Sequence, residues 1–262
     1  MKLAAIVLAG QRRGQVNPIA AEHGVPLKCV APIDGRPLIA HVLETLSAHP
    51  AIDRIVICVE PESEPLVKAA IGDIDAVFAP AQAALTDSVY AAAGVAGAGP
   101  YFITTADNVL LEAPVIDQVI MTLSSGAGAL LTLARKDDVM TAHPDGQRNY
   151  YAFSDDSYAN CNSYAIASLD VIDSAEVFRE GGQFMKNPGR IARAFGLLNL
   201  IRLRFGWISL HQAMRNISKR LGVDLRPVVL GNGEYAIDVD NARTYRVCEE
   251  ILKRRQNERV TV

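Results

Sequence analysis

The chain has 262 residues, 50% of them apolar, 21% charged and 6% aromatic. That is enough to bury a sizeable core without disulfide or metal staples. Its 26 basic and 29 acidic residues leave a net charge of -3, which argues against a nucleic-acid backbone as the main partner. No apolar run approaches the ~20 residues of a membrane span. Cys29, Cys58, Cys161 and Cys248 form no C-x-x-C pair and no disulfide framework, so reduced thiols in a cytoplasmic protein are expected. His23, His41, His49, His143 and His211 lack the spacing of a zinc site, which leaves only a hard, oxygen-ligated metal open.

The run from Leu3 to Leu8 is too short for a signal peptide and reads as a first, buried strand. After the Gly35-Arg36-Pro37 turn, Leu38, Ile39, Val42, Leu43 and Leu46 recur at helical spacing. Arg54 to Val59 reads as a strand, Ser63 to Ile71 as a helix led by Pro61, Ala76 to Ala79 as a strand and Asp87 to Val95 as a helix. Tyr101 to Thr105 and Ala129 to Ala134 are further strands, separated by a helix from Pro114 to Leu123. This alternation predicts an α/β fold, with a Rossmann-like, mostly parallel sheet and helices on both faces. Ligands of such sheets bind beyond the carboxyl ends of the strands.

The second half is less regular. Tyr150 to Phe153 and Ser163 to Ala167 read as strands around a polar turn, Ser154 to Asn162. Helical stretches are expected from about Asp170, from Pro188, and from Ser209 to Leu221. Arg226 to Leu230 and Tyr235 to Val239 read as strands, and Asn241 to Arg255 as a closing helix. With no low-complexity linker and no repeat, one domain over 1–262 is expected, a regular half over 1–135 followed by an elaborated half over 136–262. Residues 196–208 are apolar on both sides of a helix, which predicts burial in the domain, a homodimer contact, or a peripheral membrane contact aided by Arg202 and Arg204.

The loop after the first strand, Ala9-Gly10-Gln11-Arg12-Arg13-Gly14, can present backbone amides and two guanidinium groups to a polyphosphate. It is neither a dinucleotide fingerprint nor a P-loop. Further along, Lys28 is expected to follow a turn and open an apolar strand. Together with Val25-Pro26-Leu27-Lys28-Cys29-Val30-Ala31-Pro32-Ile33-Asp34-Gly35-Arg36-Pro37, the segment Leu8-Ala9-Gly10-x-Arg12 resembles the signature of nucleotidyltransferases with the nucleotide-diphosphosugar transferase fold. The molybdenum-cofactor-guanylyltransferase-like superfamily is the nearest likeness. The chain departs from that signature at Gln11, where a glycine is usual, and at Pro26, which stands two places before Lys28 instead of one. Thr104-Thr105-Ala106-Asp107-Asn108-Val109-Leu110-Leu111 resembles the family's metal-binding segment, and Ala236-Ile237-Asp238-Val239-Asp240-Asn241 its second one.

The resemblance implies that residues 1–135 are a nucleotide-binding half and 136–262 an acceptor-binding half with the closing helix, and it implies the following roles. Lys28 and one of Arg12 or Arg13 act on the phosphates. Leu8, Ala9, Gly10, Gln11, Ser88 and Ala106 hold the nucleotide. Asp107, with Asp240 or Asp238, binds magnesium. Asn160, Asn162, Arg148 and Lys186 face the acceptor. The implied reaction joins an NTP to a phosphorylated acceptor and releases pyrophosphate. An acceptor phosphate is already largely dianionic, so no histidine base is required. A metal-dependent glycosyltransferase of the same fold and a non-catalytic nucleotide-binding protein are the alternatives. Lys28 and its surrounding string have no purpose in the glycosyltransferase reading.

Overall fold

The computed structural model describes residues 1–11, 17–173 and 207–260. The apolar run Leu3–Leu8 forms β1 inside an eight-stranded sheet. Its neighbours are β4 (Ile52–Val59) on one side and β6 (Tyr101–Thr105) on the other, both parallel to it. Beyond β4 lies β5 (Val77–Pro80). Beyond β6 come β9 (Ser157–Ile166), β7 (Ala129–Arg135) and β10 (Leu225–Leu230). Among the described strands of this sheet only β9 breaks the parallel pattern, running antiparallel to β6, to β7 and to the short β8 (Tyr151–Ala152) that pairs with its start. The residues that open β9 therefore lie at the edge where the parallel strands end. Thr104 is opposite Ser163, and Arg135 is opposite Tyr158.

Alternation along β1 divides the core, as the period of two of a strand requires. Leu3, Ala5 and Val7 pack with α2 (Leu38–Ala48), α3 (Glu64–Ile71), α5 (Ala113–Ser124) and the closing helix α9 (Ala242–Val260). Ala4 and Ile6 face the other way, onto Val89, Ala92 and Ala93 of α4 (Leu85–Ala96). Helices thus cover both faces. On the side of β7 that carries Leu133, the helix α8 (Leu210–Leu221) packs Leu210, Met214 and Ile217 into a third cluster. The sequence marks both ends of α8: Ser209 and Gln212 close a capping box, and Gly222 takes the left-handed conformation after the last turn. No described helix is long and apolar enough to cross a membrane.

Four expectations change. Lys28 does not open a strand; it begins a 3-10 turn, Lys28–Val30. The hairpin of β2 (Pro32–Ile33) and β3 (Arg36–Pro37) follows, its two-residue loop Asp34-Gly35 having positive φ at both positions. Ser157 to Asn162 belong to β9 and not to a turn: β8 pairs Ser157 and Tyr158, β7 pairs Tyr158 to Asn160, and Cys161 and Asn162 form a bulge within the strand. Tyr235 to Val239 are not a strand. Gly233–Ala236 form a 3-10 turn pinned by Glu234, which takes hydrogen bonds from Arg255 at 2.5 and 2.8 Å and pairs with Arg254. A short helix not expected from the sequence, α1 (Pro18–Glu22), starts at Asn17, whose side chain accepts from Ile19 N at 3.0 Å. The remaining described helices are α6 (Lys136–Ala142) and α7 (Asp170–Asp173). The helix expected from Pro188 and residues 196–206 lie outside the described residues; of the two that follow, Ile208 is buried and Trp207 exposed.

Candidate active site

Lys28 is delivered by the 3-10 turn to the carboxyl ends of β1 and β6. Its ammonium donates to the Asp107 carboxylate and to the carbonyl of Val239 at 3.0 Å, and Asp240 Oδ1 stands 3.9 Å away. Burial by itself would lower the lysine's pKa. Asp107, then Asp240 and Asp238, outweigh it and hold Lys28 above its ordinary value, so the group stays cationic.

Asp107 is placed by main-chain contacts that the apolar strands enforce. Ala106 N donates to Leu8 O at 3.0 Å, tying the loop after β6 to the end of β1. Val239 N donates to Asp107 O at 3.1 Å, which draws in the segment preceding α9. The next residue, Asn108, is buried and spends its amide on Thr104 Oγ1 at 3.1 Å, Cys161 O at 3.2 Å and Ser163 Oγ at 3.3 Å. Those bonds lock the loop to β9. On the other segment, Thr244 Oγ1 accepts from Asp240 N at 2.9 Å and from Asn241 N at 3.2 Å, fixing the start of α9.

Asp107, Asp238 and Asp240 thereby bring carboxylate oxygens within 4.8 Å of one another. Asp238 is the most enclosed, and burial followed by the charges of Asp107 and Asp240 pushes its carboxyl well above the usual carboxylate range. Asp240 is exposed at its tip, yet burial of its remainder and Asp107 also raise it. Oδ1 of Asp107 is buried and accepts no hydrogen bond among the described residues. An orphaned oxygen in a set of hard carboxylate donors fits a divalent cation of the magnesium class, which needs few protein ligands.

The acceptor candidates Asn160 and Asn162 meet this cluster from β9. Between Leu131 and Leu133 the β7–β9 register slips, and within that bulge Asn162 has a φ of 48°. Bulges re-aim side chains near sites, and here the Asn162 amide donates to Asp238 Oδ2 at 2.7 Å. Asn160 donates to Asn162 Oδ1 at 2.8 Å and to the Tyr164 hydroxyl. Burial pushes the Tyr164 phenol up to about 12, so it is a neutral hydrogen-bonding group.

Other predicted residues lie differently. Ser88 does not present its hydroxyl outward; Oγ accepts from Gln82 N at 2.8 Å and donates to Ala84 O at 3.2 Å, holding the loop before α4. Ala9 N donates to Cys58 O at 2.9 Å, and Gln11 N to Glu60 Oε1 at 2.7 Å. Gly10 is needed for that approach, because a Cβ there would stand 3.0 Å from the Ala81 Cβ and 3.2 Å from Glu60 Oε1. Arg148 is an exposed side chain 3.9 Å from Asp145 and is not brought to the carboxylates by any described bond. Arg12, Arg13 and Lys186 lie outside the described residues. Sequence reasoning missed Asn108, Tyr164, Glu60 and Thr244; Asn108 alone had a signal, standing directly after Asp107. Thiol chemistry is disfavoured, since burial raises all four cysteines, Cys58 to about 11 and Cys29 to about 12.

The sheet order, with a carboxylate cluster and a lysine at the carboxyl ends of its strands, defines an α/β protein of the nucleotide-diphosphosugar transferase fold. A family model described as the MobA-like NTP transferase domain matches residues 5–178, and the chain belongs to that family. Among solved structures, a hypothetical transferase from Thermus thermophilus is similar over 94% of this chain and 100% of its own, at 24% identity and a TM-score of 0.74. The 4-diphosphocytidyl-2C-methyl-D-erythritol synthase of Anaerococcus prevotii is similar over 96% of each chain, at 10% identity and a TM-score of 0.59. CMP:2-keto-3-deoxy-manno-octonic acid synthetase complexed with CTP is similar over 96% of this chain and 99% of its own, at 14% identity and a TM-score of 0.61. At these identities the likeness is one of fold. No curated protein matches the chain.

Proposed function

We propose that the chain is a magnesium-dependent nucleotidyltransferase that moves an NMP unit from an NTP to a phosphorylated acceptor. A sugar phosphate, an alcohol phosphate or a phosphorylated cofactor precursor fits that description. An acceptor phosphate oxygen forms a bond to the α-phosphorus, the bond from that phosphorus to the β-bridging oxygen breaks, and pyrophosphate leaves with the electron pair. The observation that carries this reading is the ammonium of Lys28, held among Asp107, Asp240 and the Val239 carbonyl at the carboxyl edge of the sheet.

Each residue has a task in that step. Lys28 places a fixed positive charge where α-phosphate oxygens gain negative charge, the kind of pre-organised donor that dominates phosphoryl-type transfer. Asp107 and Asp240 would hold magnesium, which supplies charge neutralisation on the phosphates when bound. Asp238, enclosed and bonded by Asn162 at 2.7 Å, stands beside that pair as the alternative ligand to Asp240. Arg12 and Arg13 retain the phosphate role that the family resemblance implies, and Asn160 and Asn162 the acceptor role.

The test is pyrophosphate release by the full chain, given each NTP with magnesium and a panel of phosphorylated acceptors. Release that depends on both substrates is expected, with Asp107→Asn lowering it by about a hundredfold or more and weakening Mn2+ binding in a direct titration. Transfer of a sugar from a nucleotide sugar, without pyrophosphate release from any NTP, would overturn the reading.

A further inference from the structure

On the far side of β1 from Lys28, the crevice holds a carboxylate outside the Asp107, Asp238 and Asp240 cluster that the phosphate chemistry does not use. Glu60 follows β4 directly and stands against the loops that follow β1 and β5. Its Oε1 accepts from Gln11 N at 2.7 Å, which is all that a structural tie to the β1 loop requires. Its Oε2 is shielded from water and accepts no hydrogen bond among the described residues. A buried carboxylate oxygen left unpaired is costly, so it is kept where a donor arrives from outside. The side chain as a whole is only half-buried, and the last torsion of a glutamate is broad, so the carboxylate can turn toward the crevice.

Position identifies the donor. The strand order reverses at β1, the place where an open α/β sheet takes its ligand across the crevice. Asp107 follows β6 and Glu60 follows β4, two strand spacings apart, or about 10 Å. That is roughly the separation between a nucleotide's α-phosphate and the far edge of its base. With the phosphates at Lys28, the base reaches Glu60.

We propose that Glu60 is the residue that reads the nucleobase, accepting N–H bonds from its hydrogen-bonding edge; this rests on the nucleotidyltransferase reading above. A carboxylate ranks the bases by their donors. Guanine offers two adjacent donors, N1–H and the 2-amino group. Cytosine and adenine offer one amino group beside a ring nitrogen that repels the carboxylate. Uracil offers a single N–H between two repelling carbonyls. Glu60 therefore favours guanine and excludes uracil. Ser88, the base contact expected from the family resemblance, has its hydroxyl engaged with Gln82 and Ala84.

The experiment is calorimetric titration of the full chain with GTP, CTP, ATP, UTP and ITP, each with magnesium, for the wild type and Glu60→Gln. The glutamine keeps an oxygen for Gln11 N and replaces the other with a donor. Wild type is expected to bind GTP tightest and UTP at least about tenfold more weakly. ITP, which lacks the 2-amino group, should fall about tenfold below GTP, a readout that needs no variant. Glu60→Gln should lose about tenfold for GTP and gain for UTP. Binding of NTPs with equal GTP and ITP affinities, or with an order that Glu60→Gln leaves unchanged, overturns the role of Glu60 and leaves the transferase reading standing. Binding of none of the five overturns both.

Discussion

Two carboxylates lie buried within reach of each other and keep different company. Asp107, carried by the loop after β6, faces the Lys28 ammonium. Asp238, carried by the segment before α9, faces the Asn162 amide at 2.7 Å and two more carboxylates. One side of the crevice is therefore balanced in charge, while the other holds a carboxyl that burial and its neighbours push upward. The difference teaches where the protein concentrates repulsion. Asp107 is anchored by opposite charge, whereas Asp238 is anchored by geometry against its own electrostatics, an arrangement that a divalent cation would relieve.

Removing the cation breaks the balanced side and should have the largest effect. Lys28→Ala is expected to lower turnover by about a hundred- to a thousandfold, as loss of a pre-organised donor does. It also leaves three carboxylates facing one another, so the free variant should melt lower than wild type and regain part of the difference when magnesium is added. Turnover and melting with and without metal check both parts. Unchanged turnover with a lower melting temperature would remove Lys28 from the chemistry.

The unbalanced side makes the opposite prediction. Asp238→Asn removes a charge that the fold disfavours, so the variant should be more stable than wild type at pH 7, by about 2–4 °C for each kcal/mol gained. The sign follows from linkage. A carboxyl whose folded pKa is raised stays protonated in the native state while the unfolded chain has already ionised, so wild-type stability falls as pH rises through that window. The asparagine variant has no such loss. The gap should be widest at and above the raised folded pKa and should close as pH falls toward the ordinary carboxylate value. Thermal melts from pH 4 to 8 measure it, and a gap that widens on acidification would contradict the assignment.

The two sides also differed in how far they could be read from sequence. Asp107 and Lys28 stand next to apolar runs whose period and boundaries are plain, so the strand ends that carry the balanced side were legible even though Lys28 begins a 3-10 turn and not a strand. Asn160 and Asn162 were named, but the stretch around them was read as a turn. Asn160, Asn162 and Ser163 are polar inside a strand because Asn160 and Asn162 bond each other while the buried Asn108 amide satisfies Ser163 from the loop after β6, a long-range circumstance no periodicity reports. Tyr235 to Val239 misled in the other direction. Their β-forming residues are held in a turn and an extended link by Glu234 and two arginines about twenty positions away. Glu60 had no local signal, since its place depends on Gly10 and Gln11 meeting it across two strands.

The finest test of the unbalanced side separates the amide of Asn162 from its backbone. Asn162 sits at a φ of 48°, a conformation that costs a side-chain-bearing residue roughly 1–2 kcal/mol, less for asparagine and nothing for glycine. Asn162→Gly removes the amide and keeps the backbone at ease. Asn162→Ala removes the amide and strains the backbone as well. Both variants should weaken Mn2+ binding to the same extent, because both release Asp238 from its 2.7 Å bond. Alanine should also melt below glycine, by about 2–4 °C for a difference near 1 kcal/mol. Equal melting would show that the bulge does not demand the left-handed conformation. Equal melting together with wild-type metal affinity would show that Asn162 does not position Asp238, leaving the backbone of the closing segment, which Thr244 fixes at Asp240 and Asn241, to place that carboxylate.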